Sequence, residues 1–137
     1  VRFADTNVLL YTISRDPEER AKAKRANEIL SARDLGLSVQ VLQEFYVQAT
    51  RESRSDCLTH GQAATLVDSF RRFSVQETTL ELVLAAMSTK QRFDISYWDA
   101  AILEAARELG CDVVLSEDLN DGQDYAGVRV ENPFSDC

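Results

Sequence analysis

Histidine is almost missing from this 137-residue chain, and His60 alone cannot anchor a zinc site. The three cysteines, Cys57, Cys111 and Cys137, are widely spaced and form no CxxC pair. Neither a disulfide framework nor a thiolate metal site is implied, and reduced structural thiols are expected. Glycine (five) and proline (two) are sparse, and no Ser-rich or Gln-rich tract occurs. Nothing therefore marks a linker, a disordered tail or an internal repeat, and a single domain over residues 1–137 is expected. No apolar run approaches the roughly 18 residues that span a bilayer, and no basic segment leads into a signal-like stretch. A soluble, cytoplasmic protein without membrane contacts is the expectation. Positive charge is also short: 15 Lys and Arg stand against 23 Asp and Glu, a net charge of −8. That balance disfavours a protein that wraps nucleic acid through a broad basic surface, unless divalent cations carry part of the phosphate binding.

What is present is a core-forming composition, 45% hydrophobic, arranged as short apolar runs between helical periodicities. Arg2 to Ala4 reads as a strand ending at Asp5-Thr6-Asn7. Asp16-Pro17-Glu18-Glu19 has the grammar of a capped helix start, with a helix over about 17–32 burying Ala23, Ala26, Ile29 and Leu30. A very short strand at Gly36 to Val39 precedes a helix carrying Val41, Leu42, Phe45, Tyr46 and Ala49, with Ser38 as its cap. Thr59-His60-Gly61-Gln62 repeats the capping-box grammar ahead of Ala63, Leu66, Val67 and Phe70, and a strand near Phe73 to Gln76 follows. Thr78 and Glu81 open a helix whose buried stripe is Leu82, Val83, Ala86 and Met87. Ser96 and Asp99 open another that stops at Gly110. Val113 to Leu115 is the clearest buried strand, and a polar loop through Gly122 and Asp124 leads to a last strand at Val128 to Val130. Strands alternating with helices predict an α/β fold, a three-layer α/β/α sandwich on a central parallel sheet of about five strands.

In such a sheet the ligand site lies beyond the carboxyl ends of the strands, at a switch in strand order. Asp5 and Asp118 follow predicted strands, while Glu44 and Asp99 fall early in helices, so all four could face one edge. Two like charges about 4 Å apart cost on the order of 4 kcal/mol at a surface-like dielectric, so a carboxylate cluster must protonate or capture a cation. Hard oxygen donors without His or Cys suit Mg²⁺ or Mn²⁺, and such ions commonly meet phosphate through their remaining positions.

The stretches Ala4-Asp5-Thr6-Asn7-Val8-Leu9, Val41-Leu42-Gln43-Glu44-Phe45, Ser96-Tyr97-Trp98-Asp99-Ala100-Ala101 and Leu115-Ser116-Glu117-Asp118-Leu119 resemble the successive acidic motifs of PIN-domain nucleases. Among these the chain most resembles the VapC-like toxins of bacterial toxin–antitoxin pairs. The likeness runs on through Asp121-Gly122-Gln123 and the segment from Val128 to Phe134. It implies a metal-dependent endoribonuclease in which Asp5, Glu44 and Asp99 form the core acidic triad and Asp118 is a variable fourth acid. It further implies a homodimer, an RNA substrate and a neutralising antitoxin. Asn7 and Ser116 match supporting polar positions, and Glu117, adjoining Asp118, competes with it for contact with metal.

Each acid also has a plainer role open to it. Asp99 stands where a capping-box acid belongs, Glu44 could lie on a wetted helix face, Asp5-Thr6-Asn7 could be an ordinary turn, and Asp118 could be a solvated loop residue. Tyr97 and Trp98 could stack on unpaired bases or pack into the core. Arg15, Arg20, Lys22, Lys24 and Arg25, with Arg71, Arg72, Lys90 and Arg92, are candidates for RNA backbone contacts or solvated faces. Two other functions compete: an acidic module that binds a basic peptide, and an aspartyl-phosphate phosphotransfer domain. The second wants an Asp two residues after Asp5, where Asn7 stands, and a Lys after the late strand.

Overall fold

Runs of two to four extended residues, each too short to stand alone, pair into one sheet in the computed structural model, which describes residues 1–137. In chain order the elements are β1 (Arg2–Ala4), α1 (Thr6–Thr12), α2 (Arg20–Ser31), β2 (Leu35–Ser38), α3 (Val39–Ala49), α4 (His60–Ser69), β3 (Ser74–Gln76), α5 (Leu80–Phe93), α6 (Tyr97–Glu108), β4 (Val113–Leu115), β5 (Asp124–Tyr125) and β6 (Val128–Glu131). The sheet order is β3-β2-β1-β4-β6-β5, parallel except for β5. The chain steps outward from β1 to β2 to β3, then crosses back to lay β4 on the other side of β1. Crossovers of one hand running in opposite directions place their helices on opposite faces. Accordingly α1 packs on α2 and α3, and α3 on α4, while α5 packs on α6, which lies along the sheet. No helix is long and apolar enough to cross a membrane.

The core lies on both faces of β1 and β4, where Phe3, Ala4, Val114 and Leu115 are buried. Against it α6 buries every residue from Ala100 to Ala106, four of them alanines whose small size lets the helix sit close to both sheet and α5. The local grammar works where side chain and backbone agree. Thr59 and Gln62 form both halves of a capping box, Ser38 caps α3 by accepting from Val41 N–H (3.3 Å), and Gly110 turns the chain away from α6 with φ +77°.

Several expectations are corrected. Asp16 accepts from Glu18 N–H, but Glu19 takes the Ser14 hydroxyl (2.6 Å) instead of closing a box, so the first turn is a 3₁₀ turn over Pro17–Glu19 and the α-helix begins at Arg20; Ala23 is only half-buried. The cap of α5 is Thr79, not Thr78, and its buried positions are Leu82 and Ala86, with Val83 half-buried and Met87 exposed. Leu66 and Val67 of α4 are half-buried. The region read as a polar loop supplies a sixth strand, β5, which forms a hairpin with β6. Its two-residue turn, Ala126-Gly127, has φ +55° and +99°, the pair of positive values that suits tight hairpins. Asp124 Oδ1 accepts from Gly127 N–H (2.9 Å) inside the turn. From outside, the Arg107 guanidinium donates to the carbonyls of Tyr125 (2.8 Å) and Ala126 (2.6 Å) while pairing with the buried Glu104 (3.1 Å).

Arg107→Ala leaves Glu104 without its cation and two hairpin carbonyls without a donor. It should lower unfolding free energy by about 2–3 kcal/mol, read from the urea midpoint, with amide exchange accelerated first in β5 and β6.

Candidate active site

Where β1 ends, the ladder to β4 runs one residue further: Asp5 N–H donates to the Leu115 carbonyl (3.0 Å). This fixes Asp5 at the carboxyl end of the strand, on the switch between β1 and β4, and at the N-cap of α1. The residue is only 6% exposed, its Oδ1 accepting from Thr6 N–H (2.7 Å) and its Oδ2 from the Ser116 hydroxyl (2.8 Å). Burial pushes the Asp5 carboxyl up from 3.8 to about 6, against the lowering effect of those two bonds, and the charges of Asp118 and Glu44 add to the rise.

Ser116 is the hub of the late loop. Besides donating to Asp5, its oxygen accepts from Asp118 N–H (3.1 Å) and from the Asn7 amide (3.3 Å). Asn7 also donates to Asp118 Oδ2 (3.2 Å) and accepts from Glu117 N–H (3.2 Å), so one side chain sets both the backbone and the carboxylate of that turn. On the other wall, Glu44 Oε2 accepts from the Thr6 hydroxyl (3.0 Å) and Oε1 from Gln40 Nε2 (2.8 Å). Gln40 reaches on to the Trp98 carbonyl (3.2 Å), joining α3 to the first turn of α6, where Asp99 N–H is capped by Ser96 (3.0 Å). Burial raises the Asp99 carboxyl as well, and Asp118 and Glu44 push in the same direction.

Asp5, Glu44, Asp99 and Asp118 thus line one cavity of about 220 Å³, together with Thr6, Asn7, Gln40 and Gln48. No Lys or Arg borders it. Four carboxylates without a counter-charge form a strongly negative site of hard oxygen donors, which fits a divalent cation of the Mg²⁺ class. No three acidic side chains close on a common point tightly enough to grip an ion unaided. A cation that keeps several waters and takes only one or two direct carboxylates matches that looser spacing.

Glu117 points elsewhere. Its carboxylate receives the Tyr11 hydroxyl and pairs with the Lys22 ammonium (2.6 Å). Partial burial alone would raise the carboxyl, but these two partners outweigh it and hold it below the usual range, and the bond to Glu117 lifts Lys22 to about 12. Of the two adjacent acids, Asp118 borders the cavity and Glu117 does not. None of the basic residues singled out in the sequence borders it either; Arg72 and Arg92 lie over Phe73 and Phe93, at 4.4 and 4.9 Å from the ring centres. His60 opens α4, its Nδ1 2.9 Å from the Tyr46 hydroxyl. Sequence reasoning missed Thr6 and Gln40. The four-residue spacing of Gln40 and Glu44 on one helix face was the available signal.

The family model of the PIN domain matches residues 2–124, and the chain belongs to that family. Comparison with curated proteins gives no match. Among solved structures, a toxin–antitoxin complex from Klebsiella pneumoniae is similar at 18% identity with a TM-score of 0.70, covering 97% of this chain and 98% of that one. A sarcin-ricin-loop-cleaving VapC toxin of Mycobacterium tuberculosis is similar at 20% identity and TM-score 0.67, covering 86% and 92%. DNA-bound VapBC from Salmonella typhimurium is similar at 20% identity and TM-score 0.66, covering 96% and 97%. These likenesses establish the PIN-like fold.

Because the Asp5 carboxyl is raised in the folded state, its protonated form stabilises the metal-free protein. That stability is full below about 3.8 and is lost as pH rises through about 6. The shift of roughly two units corresponds to about 3 kcal/mol. Melting curves in EDTA should therefore fall more steeply between about pH 4 and 6.5 for the wild type than for Asp5→Asn, and added Mg²⁺ should restore stability more at about pH 7 than at about pH 4. Equal slopes for the two proteins would refute this origin of the pH dependence.

Proposed function

We propose that this chain is a metal-dependent endoribonuclease that hydrolyses RNA phosphodiester bonds, and that it acts as the toxin of a toxin–antitoxin pair. The observation that carries the reading is the meeting of Asp5, Glu44, Asp99 and Asp118 on one cation-free cavity at the switch point of a PIN-family sheet. These four residues are the proposed ligands of Mg²⁺ or Mn²⁺. When bound, the ion supplies an activated water at neutral pH and neutralises charge developing on the phosphodiester. The chain's part is orientation: Thr6 and Gln40 aim Glu44, Ser116 aims Asp5, and Asn7 aims Asp118. Outer hydrogen-bond partners of this kind are worth about 10–100-fold in metal affinity or activity.

Similarity to a toxin–antitoxin complex and to a toxin that cleaves the sarcin-ricin loop supports the RNA substrate and a protein antitoxin. An antitoxin arginine entering the acidic cavity would take the cation's place and silence the enzyme. A homodimer working in the cytoplasm completes the reading. A purely acidic binding module remains the second reading, favoured by the absence of a ready-made three-carboxylate cage.

With purified protein and structured RNA in Mg²⁺ or Mn²⁺, cleavage should vanish on adding EDTA. Asp5→Asn and Asp99→Asn should each lower kcat by at least about 100-fold and Ser116→Ala by about 10–100-fold. Glu117→Gln should keep Mn²⁺ affinity close to the wild type, whereas Asp118→Asn should weaken it. Cleavage indifferent to EDTA and to the Asp5 and Asp99 substitutions would sink the site assignment. Full activity in a saturated antitoxin complex would sink the proposed inhibition.

A further inference from the structure

Trp98 is the only tryptophan in the chain, yet 64% of it is exposed at the rim of the acidic cavity. It is not loosely placed. Its carbonyl accepts from Gln40 on α3, and its ring meets Tyr97 edge-to-face at 5.0 Å between centroids. From the cavity a second depression of about 490 Å³ runs along the outer side of α3 past Gln43, Val47, Gln48 and Arg51, and Trp98 forms part of its wall. Gln40, Glu44, Gln48 and Trp98 border both spaces, so the two adjoin. The volume lies within the about 300–1,000 Å³ range of small-ligand sites.

We propose that this groove is a nucleotide subsite of the proposed nuclease, in which an unpaired base next to the scissile phosphate stacks on the Trp98 indole. The exposed amides of Gln43 and Gln48 present donors and acceptors to the base edge, and Arg51 is the one cation available to the neighbouring phosphate. Electrostatics favours this mode of binding over backbone capture. Without a bound cation, a chain of net charge −8 with four carboxylates at the adjoining cavity does not draw in a strand through phosphate neutralisation, whereas stacking on an aromatic face is indifferent to charge. The subsite therefore selects single-stranded over duplex RNA, and its binding depends weakly on salt.

The proposal rests on the nuclease reading, and its test separates the two. Because Trp98 is the sole tryptophan, intrinsic emission of the full chain reports the site directly. Titration in EDTA with an oligoadenylate about six nucleotides long should quench it saturably, with a slope of log affinity against log salt no steeper than about −1, and the matching duplex should quench far less. Anisotropy of a labelled oligomer should show about 5- to 100-fold weaker binding to Trp98→Ala, partly rescued in Trp98→Phe. In steady-state cleavage the same substitution should raise KM with kcat little changed. Quenching without any metal-dependent cleavage would support the subsite and defeat the nuclease reading. Metal-dependent cleavage with KM unaltered in Trp98→Ala would overturn the subsite and leave the nuclease reading standing. Emission that shifts with protein concentration alone, with self-association lost in Trp98→Ala, would overturn it in favour of a second copy of the chain on this face.

Discussion

The carboxylate of Asp5, shut away at the end of the central strand with both oxygens bonded, is the constraint around which the rest of the site is arranged. As an N-cap it contributes about 1 kcal/mol to α1. Burial outweighs this: with the bonds from Thr6 and Ser116 already counted, the net shift to about 6 still corresponds to roughly 3 kcal/mol against the charged form at neutral pH. The position is therefore a net cost to the metal-free fold, tolerated because the end of β4 holds it, the Leu115 carbonyl taking its N–H and the Ser116 hydroxyl donating to its carboxylate. Sites that break the local rules of stability in this way are where function concentrates.

From Asp5 the dependence spreads in two directions. Towards β4, Ser116 and Asn7 convert a loop of three polar residues into a single conformation, and the Lys22–Glu117–Tyr11 cluster clamps the far side of that loop to α1 and α2. Towards α3, Thr6 links the cap of α1 to Glu44, and Gln40 links Glu44 to the start of α6. Four elements that share no sequence neighbourhood are thereby fixed to one cavity by side-chain bonds, while the sheet sets only their starting positions.

That division explains what could be read from residue order. β1, β4 and the helix starts at Ser38, Thr59 and Ser96 were legible because each depends on residues within one turn of one another. The β5–β6 hairpin was not, because its turn is Ala-Gly instead of Asn-Gly or Asp-Gly and its clamp, Arg107, sits some twenty residues upstream. The face of α5 was half legible: Leu80, Leu84 and Met87 keep helical spacing as well as Leu82 and Ala86 do, and only packing against α6 decides which set is buried. The four acids were legible as a group from their places after strands and at helix starts. Asp118 and Glu117 could not be ranked, since the ranking is made by Tyr11 and Lys22, about a hundred residues away.

Electrostatics then constrains the proposed enzyme. A phosphodiester approaching Asp5, Glu44, Asp99 and Asp118 meets repulsion of about 4 kcal/mol for each close pair of charges at a surface-like dielectric, and no cation borders the cavity to offset it. The basic residues of α2 cannot act there: Lys22 is spent on Glu117 and none of its neighbours borders the site. On the proposed reading Asp5, Glu44, Asp99 and Asp118 would hold the cation, and its charge would offset theirs towards a phosphodiester. Without it the same negative field favours anything carrying a guanidinium. On the proposed reading one cluster would then serve both catalysis with metal and inhibition by a basic peptide, the two competing for the same oxygens.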